Sequence, residues 1–144
     1  MQFIIKIQEE LQLYEEDASL SLGWFEIIEK DFSILLFEKR HCMVFITLTS
    51  FIEAIEVLSG KAKGETRLVG EDNGKVFKLV KTGNDIELVG KRLSLKLNFS
   101  SFKSSILDAL SNFLIHCETV NKGIVQESAY IDLQSSYKQL LEKA

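Results

Sequence analysis

Every histidine and every cysteine of this chain falls in one of two dipeptides, His41-Cys42 and His116-Cys117. These residue types ligate soft metals or form thiol–imidazole nucleophiles. A structural zinc would need four such ligands in one place. Adjacency works against that. In a strand, neighbouring side chains point to opposite faces, and in a helix they diverge by about 100°. Each pair therefore supplies at most one ligand to a shared centre. Cys117 continues an apolar helical stripe and reads as a small core residue. His116 reads as part of the last helical turn, where a partly positive imidazole favours the negative end of the dipole. His41 follows Lys39-Arg40 and reads as exposed, at the start of a strand. No metal, cofactor or thiol catalysis is expected from them.

The remaining chemistry is sparse. Of the 21 acids only Asp108, between Leu107 and Ala109, stands inside an apolar helical run, and it falls off the main stripe. No paired carboxylates suitable for acid–base work are in view. Gly60-Lys61-Ala62-Lys63-Gly64 lacks the spacing of a phosphate loop, and neither GxGxxG nor GxSxG occurs. The expectation is a chain without catalytic residues.

What would position any site is legible in the periodicity. Phe3, Ile5 and Ile7 alternate with Ile4, Lys6 and Gln8, and Leu11, Leu13, Leu20 and Leu22 repeat the period of two. Glu15-Glu16-Asp17 suits a turn between them. Trp24–Ile28 and Phe32–Phe37 read as strands around the polar break at 29–31. The apolar run Cys42–Thr47 reads as a strand buried on both faces. A short helix then follows, with Ser50 and Glu53 in capping-box spacing and Gly60 as its stop. Residues 65–99 read as a meander, with turns at Asp72-Asn73-Gly74, Thr82–Asp85 and Gly90-Lys91. The longest helix is expected at about 101–117, along Phe102, Ile106, Leu110, Phe113 and Cys117. A short helix is expected at about 133–143, and 124–131 is open between strand and loop.

The chain thus reads as one α+β domain over residues 1–144. Its sheet is mainly antiparallel, sandwich-like in one version. A short helix is inserted, one long helix packs on the sheet, and a short C-terminal helix closes the chain. At 144 residues with 46% hydrophobic composition, a real core is affordable without disulfide staples. Two cysteines make no disulfide framework, no apolar run approaches a membrane span, and the start is too alternating for a signal peptide. A cytoplasmic protein with reduced thiols and no membrane association is expected.

The net charge of −4 hides an asymmetry. Residues 1–29 hold seven acids and one base, whereas residues 61–103 hold ten bases and five acids. Arg67, Lys75, Lys78, Lys81, Arg92 and Lys96 could make a cationic sheet face. Nucleic-acid sheets add exposed aromatics for base stacking, but here Phe77 and Phe99 fall in the phase of the buried leucines. No nucleic-acid partner is expected, in keeping with a pI near 5.3. Glu9, Glu10, Glu15, Glu16 and Asp17 are the sharper signal, five acids within nine residues with no base between them. Such a cluster steers a basic protein partner and sets specificity, or else is a solvated loop.

The order of elements adds a resemblance. The sequence Thr47-Leu48-Thr49-Ser50 leads into a helix. A meander follows, and Leu93-Ser94-Leu95-Lys96-Leu97-Asn98-Phe99 then runs into the helix from Phe102 to Phe113. This resembles, over roughly residues 24–117 and in pattern only, the immunity proteins that neutralise polymorphic bacterial toxins, of the wall-associated-toxin type. The resemblance implies a non-enzymatic protein that binds a cognate toxin domain and blocks its active or substrate-binding surface. Many such toxins are nucleases with basic surfaces, to which the five acids would be complementary. Two other readings stay open. One is a small ligand-binding or enzymatic domain with a pocket between sheet and helix. The other is a regulatory or structural subunit that dimerises. The choice between monomer and homodimer is open too.

Overall fold

A computed structural model describes residues 1–38, 41–70 and 76–143. The expected turn at Asp72-Asn73-Gly74, together with Lys39, Arg40 and Lys75, lies outside the described residues.

The chain is an α+β fold built on antiparallel strands, arranged as two four-stranded sheets. The first sheet holds β1 (Gln2–Ile7), β2 (Leu22–Ile28), β3 (Ser33–Leu36) and the two-residue β4 (Cys42–Met43). β2 is its hub, pairing with β1 along one edge and with β3 and β4 along the other. The second sheet is the meander β5 (Lys63–Val69), β6 (Val76–Thr82), β7 (Asp85–Gly90) and β8 (Leu93–Asn98), in sequence order. Three helices complete the fold: α1 (Val44–Leu58), α2 (Phe99–Val120) and α3 (Ser128–Lys143).

Period-two reading held wherever strands had a cross-strand partner. Phe3, Phe25, Ile27 and Leu36 are fully or nearly fully buried and share the inner face of the first sheet through the pairs Phe3↔Ile27 and Phe25↔Leu36. It failed at Leu11, Leu13 and Leu20, which lie in 3-10 turns, Glu10–Tyr14 and Ala18–Leu20, and not in strands. With about three residues per turn, positions two apart point to different sides. Leu13 is accordingly buried and Leu11 exposed.

The apolar run Cys42–Thr47 is a second correction. Only Cys42 and Met43 pair as strand, and Val44 already starts α1. The helix is fifteen residues long, not the short one expected, and Ser50 and Glu53 lie within it, not at its start. It has no side-chain cap, and the Val44 amide instead donates to the Ser21 carbonyl at 3.1 Å. Val44, Phe45, Leu48, Phe51, Ile52, Ile55 and Leu58 are all buried. Ile46, Thr49, Ser50, Glu53, Glu56 and Val57, partly or fully exposed, line the opposite side, so the helix lays one broad apolar face on the core. Phe51 meets Phe3 and Phe25 with ring centroids 5.7 and 5.0 Å apart, and Phe37 continues the cluster to Phe77 of β6 at 5.1 Å. That aromatic chain joins the two sheets in one core.

α2 begins where β8 ends, and the Asn98 side chain caps it by accepting from the Ser101 amide at 2.9 Å. It buries Phe102, Ile106, Leu110, Leu114 and Cys117, the expected stripe with Leu114 in place of the half-buried Phe113. α3 is sixteen residues long, so the C-terminal helix is not short either. It buries Tyr130, Leu133 and Leu140. The segment left open between strand and loop is a 3-10 turn, Lys122–Gln126, followed by the first turn of α3. No helix among the described residues is long and apolar enough to cross a membrane.

The cationic sheet face is reduced. Lys81 pairs in register with Ile86 and points inward, nearly buried, its ammonium donating to the Lys61 carbonyl and lying 4.9 Å from the Phe99 ring. The outer face of the second sheet mixes signs instead: Lys78 pairs with Glu65 at 2.9 Å, and Ser94 donates to Glu87 at 2.7 Å.

Candidate functional site

The two His-Cys pairs sit in different surroundings. Cys42 is buried in β4, its thiol 3.6 Å from the Gly23 carbonyl. His41 is half-buried rather than exposed, stacked on Trp24 with centroids 4.9 Å apart and planes at 20°. Cys117 is buried in α2. Burial pushes the Cys42 thiol up to about 11. Burial, then the charges of Glu10 and Glu118, push Cys117 up to about 12. Both are therefore thiols at neutral pH, and a thiol is a poor nucleophile. Both are free, and no group of three or more His, Cys, Asp or Glu among the described residues is placed to hold a metal ion.

His116 departs from its expected role. It answers a side chain, not the helix dipole: its Nε2 lies 3.0 Å from Glu10 Oε1. Of the five acids singled out in the sequence, Glu10 is thus tied back to the fold. Glu9, Glu15, Glu16 and Asp17 are exposed and make no side-chain ion pair among the described residues.

The segment is nonetheless anchored at three points to residues more than a hundred positions away. Beside the Glu10–His116 contact, the Asn121 side-chain amide donates to the Glu15 carbonyl at 2.9 Å. Ser19 donates through its amide at 2.9 Å and its hydroxyl at 2.6 Å to one oxygen of Glu127. Leu13 and Ala18 plug the segment into the core. Asp17 takes a left-handed conformation, φ 59°, which a short polar side chain tolerates. It opens a second 3-10 turn, Ala18–Leu20, that returns the chain to β2.

The structure adds apolar side chains that charge counting missed. Leu11 is 73% and Tyr14 56% exposed, standing on the same 3-10 turn as Glu10 and beside Glu15. Their spacing of three puts them on one side of that turn. In the sequence Leu11 reads as a strand residue and Tyr14 is not singled out, so the exposure of the pair carried no signal. The result is a fixed acidic segment with an aliphatic and an aromatic side chain held out among the carboxylates.

A cleft of about 220 Å³ lies beside β1 and α2, lined by Met1, Gln2, Phe3, Ser105, Asp108 and Asn112 among others. It falls below the range of roughly 300–1,000 Å³ usual for small-molecule sites. Asp108 is the one carboxylate in its lining. No protein-family model, curated protein or solved structure matches the chain.

Proposed function

We propose that this chain is a non-catalytic binding domain, most concretely an immunity protein acting in the cytoplasm, which neutralises a cognate bacterial toxin by covering its active or substrate-binding surface. The observation that carries the reading is the anchored segment 9–17. Four carboxylates without an ion pair among the described residues surround exposed Leu11 and Tyr14, and the segment is held by Asn121 at the Glu15 carbonyl, by Glu127 at the Ser19 amide and by His116 at the Glu10 side chain. Carboxylates of one sign draw in a basic surface and orient it. A desolvated tyrosine is a common source of contact energy, and a leucine beside it helps to exclude water. Because the backbone is already ordered, less conformational entropy is lost on binding than for a free loop. A basic nuclease domain has the complementary surface.

The test pairs the chain with any toxin-like domain that is found encoded next to its gene. Co-expression should restore growth, and the purified proteins should form a complex whose affinity falls with salt. Replacing Glu9, Glu15, Glu16 and Asp17 by their amides should weaken it by about tenfold or more and flatten the salt dependence. Tyr14→Ala should weaken it without changing the salt slope. If the four-fold amide variant binds as tightly as the parent with the same salt slope, the acidic segment is not the contact surface.

A further inference from the structure

The two sheets treat their outer faces differently. In the second sheet the outward positions of β5 to β8 are mostly polar, among them Lys63, Arg67, Lys78, Glu87, Lys96 and Asn98. That is the ordinary pattern for a sheet with one face in water. In the first sheet the outward positions are mostly apolar. Ile4, Trp24, Ile28 and Leu35 fall there by register, with Leu22 at one end. Leu35 is 43% exposed, and Ile4, Leu22, Trp24 and Ile28 are half-buried without packing against the core, Trp24 with the His41 ring stacked on it. β2 is therefore apolar on both sides, as in a strand that ends up covered on both.

Two charges interrupt this face, Lys6 and Glu26, and neither has an ion-pair partner among the described residues. Their placement is informative. Lys6 lies opposite Trp24 and Glu26 lies opposite Ile4, so the four side chains form the corners of one cell of the ladder. Lys6 and Glu26 occupy one diagonal, and Ile4 and Trp24 the other. Consider a two-fold axis in the plane of the face, running along the Ile4–Trp24 diagonal. It sets Lys6 of one copy over Glu26 of the other, and the reverse. It also stacks Ile4 and Trp24 on their own counterparts. The strands of the two copies then cross steeply, close to the orthogonal mode of sheet packing. A face that is its own complement is what an isologous interface requires.

We propose that the outer face of the β1–β2–β3 sheet is a homodimer interface, centred on Trp24 and Ile4 and registered by reciprocal Lys6–Glu26 pairs. It is separate from the acidic segment and does not depend on the toxin-binding reading. The face offers about ten residues per copy, fewer than the roughly 20–30 of a standard interface, so a dissociation constant on the order of 10 µM is expected.

The experiment is sedimentation velocity on the full chain across that concentration range, with charge reversals that leave the apolar face intact. The parent should shift from monomer to dimer. Lys6→Glu and Glu26→Lys should each weaken association by about tenfold or more, and the double variant K6E/E26K should restore it. Trp24→Ala should leave a monomer, with circular dichroism and the denaturation midpoint reporting whether the fold is kept. A parent that stays monomeric well above the expected constant overturns the proposal. So does a dimer indifferent to the single reversals, because it would be using another surface.

Discussion

Glu10 and His116 are held 3.0 Å apart, carboxylate oxygen to imidazole nitrogen, across 106 positions of sequence. The contact fastens an acidic turn to a helix that the core has already made rigid. It is half exposed on both sides, so its worth lies in position more than in energy.

His116→Ala should therefore cost little stability, about 1 kcal/mol or less. It should, however, raise amide hydrogen exchange in residues 9–17, because one of three anchors is lost. Exchange rates equal to the parent's would mean that Asn121, Glu127 and the buried Leu13 hold the segment unaided.

The buried thiols give a pH dependence with a definite sign. Both cysteines have folded values above the ordinary 9.0, about 11 for Cys42 and about 12 for Cys117, so the fold favours the protonated form. Their stabilising contribution is complete below pH 9 and is lost as pH rises through those values. Cys117→Ala should reduce the loss of stability between pH 9 and pH 12, measured by denaturant unfolding. An aromatic disulfide reagent should label both cysteines of the native protein slowly at pH 8, and quickly once it is unfolded. Rapid labelling of the native chain would contradict the burial on which the sign rests.

Gly23 marks the tightest approach in the first sheet. A Cβ there would stand 1.8 Å from the Lys6 carbonyl oxygen and 2.9 Å from a Val44 methyl. Gly23→Ala must push β1 or the start of α1 away, and should destabilise by about 3 kcal/mol or more. A denaturation midpoint within experimental error of the parent's would show that the strand relaxes freely.

Tyr130 carries the opposite expectation. Its ring is buried against Phe45, 6.3 Å between centroids, and its hydroxyl is buried without a hydrogen bond that meets ordinary geometry. Burial first, then the neighbouring Glu118 carboxylate, pushes its pKa up. That carboxylate is close enough to act through charge, yet the geometry gives no bond. A buried hydroxyl left unsatisfied costs about 1–3 kcal/mol, so Tyr130→Phe should be neutral or stabilising. A clear loss of stability would mean that Glu118 does accept from the hydroxyl.

How much of this was legible depended on how local the signal was. The meander from Lys63 to Asn98 could be read because its outward and inward residues alternate, and because Gly83 supplies the positive φ of the β6–β7 turn. α2 was legible because its stripe faces one way. α1 was legible only in its second half, where Phe51, Ile52, Ile55 and Leu58 keep helical spacing; its first turn lies in the continuous apolar run from Cys42 and looked like one more strand. Leu11 and Leu13 misled for a related reason: two residues are too few to separate a period of two from a 3-10 turn.

The sequence by itself determined the clustering of five acids near the start and the antiparallel α+β class. These follow from composition and short-range periodicity, which backbone geometry reads within a few residues. Only the tertiary structure decided that Glu10 would be tied to His116 while its neighbours stayed free, and that Leu11 and Tyr14 would stand among them. It also decided that Lys81 would turn inward, and that Ile4 and Trp24 would share the outer face of the first sheet with Lys6 and Glu26. Each of these depends on which distant surfaces meet, and that is settled by packing the whole core.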